Sequence, residues 1–194
     1  MKLVPAVTAA QPPVSDWLQR HWHLIQKGGD VLDLACGAGR HSYFLAQQGF
    51  PVVALDRDDA GFPALLKAGI STAQFDLETP EALAAWPFAE RSLAAIVVFN
   101  YLHRPLFPVL LNSLAEGGLL IYETFMQGQA QFGKPSNPAF LLEPGELLTQ
   151  VIAGSADGMQ IIAFEQGCVQ TPVPRMVQRI CARRARQLAP QDLL

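Results

Sequence analysis

Short runs of continuous apolar residues recur along the first two thirds of the chain: VLDLA from Val31, PVVALD from Pro51, STAQFD from Ser71, SLAAIVVFN from Ser92 and GGLLIYETF from Gly117. Runs that are continuous rather than alternating read as strands buried on both faces. Between most of them lie segments of helical composition. Arg40 to Gln48 stops at Gly49 and Asp59 to Ala68 stops at Gly69, glycine being the common residue just past a helix end. Val14 to Lys27 reads as a further helix ahead of the first strand. Strands alternating with helices predict a parallel sheet carrying a helical layer on each face.

After the fifth run the pattern changes. Phe125 to Leu142 has glycines at 128 and 133, prolines at 135 and 138, and phenylalanines at 125, 132 and 140. That mixture predicts an ordered loop, long enough and near enough to the strand ends to act as a lid. Pro144 at a first-turn position, followed by Gly145 and Glu146, opens a helix to about Ala153. Met159 to Glu165 and Val173 to Arg183 read as two closing strands, although VQRICARRARQLA would serve equally as a helix.

Half of the 194 residues are apolar and 16% are charged, against a typical charged share of about 25%. The expectation is one globular domain over residues 1–194, with 1–30 a helical N-terminal extension and 125–142 the lid-like loop. A net charge of −3 gives no global field to hold a polyanion or an anionic membrane. Yet Arg175, Arg179, Arg183, Arg184 and Arg186 crowd the C-terminal end, where they read as a solvated edge strand guarded by charge or as a patch for an RNA backbone. Cys36, Cys168 and Cys181 are odd in number and far apart, which suits neither a disulfide framework nor a metal site. A reducing cytoplasm is the expected location. The stretch from Pro105 to Ala115 is too short and too interrupted for a membrane span, and Pro5 and Thr8 break the apolar start that would otherwise mimic an export signal.

The chemistry concentrates in VLDLACGAGRHS, Val31 to Ser42, where an apolar strand passes Asp33, then Gly37 and Gly39, and enters a helix. Such glycines permit close approach of a ligand to the backbone. A dinucleotide site would want a third glycine or alanine near position 42, where this chain has Ser42, and would set Asp33 against the pyrophosphate. A carboxylate there suits a ligand with an ammonium or sulfonium and no phosphate, such as S-adenosylmethionine. Asp56 and Asp76 close the second and third runs at roughly the twenty-residue spacing of successive strand–helix units. Singly, each acid reads as a helix cap or turn residue. Three acids at three successive strand ends, beside a glycine turn, read as one rim of a site.

These residues resemble the class I S-adenosylmethionine-dependent methyltransferases, over roughly Val31 to Leu148. The resemblance implies a three-layer, Rossmann-like α/β fold with a mostly parallel seven-stranded sheet, the last strand antiparallel. It implies S-adenosyl-L-methionine as donor and S-adenosyl-L-homocysteine as product. It sets Asp33, Ala35, Gly37 and Gly39 around the cofactor turn, Asp56 on the ribose hydroxyls with Arg57 beside it, and Asp76 on the adenine amino group. The Leu77 amide then faces a ring nitrogen, and Asn100 and Tyr101 line the methionine portion. Ala35 stands where many members have glycine. The run FLLEPGELL, Phe140 to Leu148, is similar to a segment of small bacterial methyltransferases of the tellurite-resistance kind, although Glu143 and Glu146 are explained as well by favourable charge at a helix start.

Methyl transfer is an in-line displacement, so no dedicated base is obligatory. The stretch Asn100, Tyr101, Leu102, His103 lacks the paired prolines usual in methylases of base or amide nitrogens. His103 suits a general base and Arg104 suits an anionic substrate, the alternatives being a helix cap and a surface residue. Glu123 and Phe125, ending the fifth strand, face the same space; His41, beside Arg40, either reaches it or lies on a solvated helix face. The expected activity is methyl transfer to a small heteroatom nucleophile or oxyanion that fits beneath the loop. The alternatives are an RNA or protein methyltransferase using the C-terminal arginines, a nicotinamide-dependent oxidoreductase, and a module that binds the cofactor without chemistry.

Overall fold

The computed structural model describes residues 12–185 apart from Pro80 and Ala156. In chain order its elements are α1 (Asp16–His21), β1 (Asp30–Leu34), α2 (Arg40–Gln47), β2 (Val52–Asp56), α3 (Phe62–Lys67), β3 (Ser71–Gln74), β4 (Leu93–Phe99), α4 (Phe107–Ser113), β5 (Leu114–Phe125), α5 (Glu146–Ala153), β6 (Met159–Val169) and β7 (Arg175–Arg184). The five apolar runs become β1 to β5, which pair in parallel in the order β3-β2-β1-β4-β5. β7 adds antiparallel to β5, and β6 pairs antiparallel with β7 at the edge. The result is the mostly parallel, seven-stranded, Rossmann-like sheet the sequence predicts. Its strand order reverses between β1 and β4, and the crevice this opens at the strand C-terminal ends is where such sheets take ligands.

Successive residues of the central strands bury into opposite layers, which explains their unbroken apolar runs. Ile96 and Val98 of β4 and Leu120 and Tyr122 of β5 pack with Phe107 and Leu110 of α4 and Leu147 and Val151 of α5. Ala95 and Val97 of β4 and Leu119 and Ile121 of β5 face the other way, onto Trp17 and Leu18 of α1, Leu45 of α2 and Phe62 and Leu65 of α3. All seven residues of β4 are buried. With two covered faces, a polar residue at a strand end either finds a partner or faces the crevice.

Three local readings need correction. The helix expected over Val14 to Lys27 is only α1, because after His21 the chain tightens into a 3-10 turn at Trp22–Leu24, which sets the Trp22 ring edge-on to Phe44 and Phe50. Helix α5 starts at Glu146, not in a first turn containing Pro144, because Gly145 takes a left-handed φ of 75° at the cap. The C-terminal arginines lie on an interior strand, since β6 and not β7 forms the edge. Residues 1–11 of the N-terminal extension, and Arg186, lie outside the described residues. Among the described residues no helix is long and apolar enough to cross a membrane.

Candidate functional site

Strand β1 delivers Asp33 into the turn that leads to α2. Asp33 is buried and its Oδ2 accepts a 2.5 Å hydrogen bond from the Ser42 hydroxyl. Burial pushes its carboxyl up to about 7, against the opposing effect of the Ser42 bonds. It thus anchors the turn from beneath, its charge removed from solvent. Gly37, at φ 55°, presents its backbone N–H to Asp56 Oδ2 at 2.8 Å. Gly39, at φ 77°, caps α2, and a side chain there would run into Leu65 of α3. Beyond the glycines, positive φ occurs among the described residues at Ala35 (53°), Arg91 (57°) and Asn100 (59°). Two of these three, Ala35 and Asn100, sit at the ends of β1 and β4, on either side of the switch point, where backbone strain commonly marks a working site.

Six of the ten residues expected around the cofactor, Ala35, Asp56, Arg57, Asp76, Leu77 and Tyr101, line a cavity of about 210 Å3 together with Phe75 and Glu78, whereas Asp33, Gly37, Gly39 and Asn100 are not part of its lining. Asp56 and Asp76 are held by backbone donors alone: Asp56 Oδ1 accepts from the Asp58 N–H and Asp76 Oδ1 from the Glu78 N–H, both at 3.0 Å. A carboxylate has about four acceptor positions, so both keep capacity for further donors. The Leu77 N–H has no partner among the described residues. Tyr101 is fixed through its backbone, whose carbonyl accepts from the Tyr122 hydroxyl at 2.7 Å. Its own hydroxyl is buried and unpartnered among the described residues, and burial with the Glu78 and Asp76 charges drives its pKa up.

Two larger cavities, each about 520 Å3, continue from the first in series. One shares Glu78 and Tyr101 with it and runs past Asn100, Thr124 and Phe125 to the 125–142 loop at Lys134, Pro135 and Phe140. The other shares Asn100, Phe125 and Lys134 with the second and ends among Ser15, Arg40, Glu123 and Arg175. The loop roofs both. Its two ends are tied together, Gln127 N to Leu142 O at 2.9 Å and Leu142 N to Phe125 O at 3.0 Å.

The far rim is built from ion pairs. Glu123, buried at the end of β5, accepts from Arg175 at 3.1 Å, Arg179 at 3.4 Å and the Ser15 hydroxyl at 3.5 Å. Arg179 also meets Glu165 at 2.7 Å and Asp16 at 3.1 Å. Arg184 binds Asp157 and the carbonyls of Leu111, Asn112 and Leu114, and Arg183 donates to the Leu24 carbonyl. The expectation of a solvated arginine edge, or of an RNA patch made from it, is therefore corrected for the four described residues. Lying on an interior strand, they are spent on neighbouring carboxylates and carbonyls. His41 is corrected too. It is neither solvated nor in the cavities: it is 3% exposed, packs at a tilt against Phe99 with centroids 4.0 Å apart, and accepts from the Ser15 N–H at 3.3 Å. Burial drives its pKa down to about 3, so the ring is neutral.

His103 and Arg104 fall outside the two large cavities. Both line a cleft with Pro105 and Ala139 that shares Glu78, Leu102 and Phe140 with the second cavity. Arg104 grips Glu146 through Nε at 2.6 Å and Nη2 at 2.9 Å, and donates to the carbonyls of Ala139 and Leu141 at 2.9 and 3.0 Å. Its fork is committed to fastening the loop, which leaves no free edge for the anionic substrate the sequence suggested. Cations without a partner lie elsewhere. Like Arg57 in the first cavity and Lys134 in the two large ones, the Arg40 side chain makes no hydrogen bond or ion pair among the described residues. The sequence held a signal for it that composition alone does not reveal, since a cation in the first turn of a helix opposes the helix dipole, and a broken local rule often marks a functional position.

A mostly parallel sheet with its switch point against a glycine turn and a rim of carboxylates is the fold of the S-adenosylmethionine-dependent methyltransferases. A profile of the family described as tellurite resistance protein TehB matches residues 20–117, and the chain belongs to that family. Among solved structures, it is similar to an S-adenosylmethionine-dependent methyltransferase from Methanosarcina mazei, at 13% identity over 91% of this chain and 100% of that one, with a TM-score of 0.69. It is also similar to TehB from Haemophilus influenzae, at 19% identity over 87% of this chain and 61% of that one, with a TM-score of 0.66. A geranyl diphosphate methyltransferase in complex with GPP and sinefungin matches at 15% identity over 87% of this chain and 76% of that one, with a TM-score of 0.65. No curated protein matches the sequence.

Proposed function

We propose that the enzyme methylates a small molecule bound in the space roofed by the 125–142 loop. The observation that carries this reading is the pair of adjoining cavities, each about 520 Å3, within the roughly 300–1,000 Å3 of small-molecule sites. Residues of the loop line both; the first of them meets the carboxylate rim at Glu78 and Tyr101, and the second joins the first at Asn100, Phe125 and Lys134. The donor set of that rim fits S-adenosylmethionine. Asp56 has free acceptor capacity for two vicinal hydroxyls and Asp76 for an amino group, while the Leu77 N–H suits a ring nitrogen. Asn100 and Tyr101 stand where the methionine portion meets the acceptor space. Ala35, Gly37, Gly39 and Arg57 shape the approach, and Asp33 supports the turn from below.

The bound donor supplies a methyl group made electrophilic by its sulfonium. What the protein adds is alignment and the exclusion of water. Strands β2, β3 and β4 fix three sides of the donor cavity, and Tyr101 separates it from the acceptor space. The Arg104–Glu146 clamp holds the loop down over that space. No described residue need take a proton in the transfer step itself. Incubation with labelled donor and a metabolite extract should place the label in a product of low molecular mass. Label found only in RNA or protein would overturn the reading. Calorimetry with S-adenosylhomocysteine and NADH separates the oxidoreductase alternative: the first should bind and the second should not.

A further inference from the structure

Resting on that reading, we propose that the acceptor is an organic acid: its carboxylate is held by Arg40 at the Glu123 end of the third cavity, and its apolar body lies along Phe125 and Phe132. Three observations meet here. Arg40 lines the cavity without a hydrogen bond or ion pair among the described residues. It stands in the first turn of α2, where the helix dipole opposes a cation, and burial lowers its pKa while Glu123 offsets this only in part. A desolvated, unmatched guanidinium is costly until an anion joins it, and the planar fork suits a carboxylate.

The neighbouring charges do not serve instead. Glu123 already faces Arg175 and Arg179, and Asp16 faces Arg179. Arg175 engages its other terminal nitrogen with the Thr171 carbonyl at 2.7 Å. Arg40 is thus the half-buried cation left over, since Lys134, on the same wall and with its side chain also unpartnered among the described residues, is exposed to solvent. The rest of the wall is largely apolar, with Phe125, Phe132, Val173 and prolines 12, 13, 172 and 174. A bare inorganic anion would meet Arg40 and leave about 520 Å3 of such wall unfilled, whereas an acid with an apolar body uses both.

The test measures binding of 4-phenylbutyrate and its neutral counterpart 4-phenylbutanamide to the enzyme saturated with S-adenosylhomocysteine. Wild type should bind the acid at least tenfold tighter than the amide. Arg40→Met should erase that gap and Arg40→Lys should keep more of it, with S-adenosylhomocysteine affinity within about threefold of wild type in both. Equal binding of acid and amide by wild type overturns the proposal, and so does a gap that survives in Arg40→Met. A tenfold or greater loss of S-adenosylhomocysteine affinity in Arg40→Met also overturns it, because Arg40 would then belong to the cofactor's carboxylate. Should Arg40→Met fail to fold, the wild-type comparison decides alone. In the labelling experiment, a small product without an acid group defeats this inference only, while a macromolecular product defeats the reading on which it rests.

Discussion

The two rims of the crevice use the same residue chemistry to opposite ends. On the β2–β3 side, Asp56 and Asp76 are held by backbone N–H groups and keep acceptor capacity facing a cavity. On the β5–β7 side, Glu123 is 2% exposed and its oxygens are taken by two arginines and a serine. A carboxylate at a strand end is therefore a ligand group or a strut according to what faces it. Backbone donors leave it open and arginine forks close it.

The largest effect should come from breaking the strut. Glu123→Ala leaves Arg175 and Arg179, at 11% and 9% side-chain exposure, without the carboxylate they share. Removing one partner of a buried ion pair costs about 3–5 kcal/mol, part of which Glu165 and Asp16 offset at Arg179. Chemical denaturation should show a loss of that order, and a loss below about 1 kcal/mol would mean that Glu123 is no strut. Asp33 sharpens the contrast through pH. It ionises near 3.8 when unfolded and at about 7 when folded, so between those values the folded chain keeps a proton the unfolded one has released. This group's contribution therefore falls as pH rises from 4 to 7, by about 4 kcal/mol for three pKa units. Asp33→Asn removes that fall. The stability difference between variant and wild type should move in the variant's favour by about that amount from pH 4 to 8, and a constant difference would refute the buried carboxyl.

On the open rim, Asp56→Ala should weaken S-adenosylhomocysteine binding by about 10- to 100-fold, the loss of one or two charge-assisted bonds. An unchanged dissociation constant by calorimetry would refute the ribose assignment. The strand-end pattern makes this rim readable from sequence. Parallel strands buried on both faces give continuous apolar runs, and the acid ending each run is fixed at the crevice by topology alone. That carries Asp56, Asp76, Leu77 and Tyr101 to one cavity, and sets Asp33 in the turn beneath it. The other rim is not local in sequence. Whether Arg179 is solvated depends on β7 lying inside the sheet and not at its edge, which is decided by pairing between segments far apart. Arg104 and Arg40 show the same limit: both look available, and only the position of Glu146, in a helix beyond the loop, shows which one is committed.

Arg104→Ala tests the loop that spans both rims. It removes four hydrogen bonds to Glu146, Ala139 and Leu141 from a pair whose arginine is about a third exposed, so the cost to global stability should be small. The acceptor KM should rise by roughly tenfold, about 1.4 kcal/mol, while S-adenosylhomocysteine affinity stays within twofold. A matching loss of cofactor affinity would mean that the clamp shapes the donor cavity instead.

The smallest effect should come from His103. It lies one residue from Arg104 and lines the cleft by Pro105 and Ala139, which adjoins the second cavity at Glu78, Leu102 and Phe140, without itself lining that cavity. A general base must come within about 2.6–3.2 Å of the proton it removes, directly or through one water. A displacement that discharges a sulfonium does not require one. His103→Ala should therefore leave kcat within about twofold and cofactor affinity unchanged. A fall of tenfold or more, with the acid limb of the pH–rate profile abolished, would restore His103 as the base and move the acceptor from the Arg40 side of the crevice to the Arg104 side.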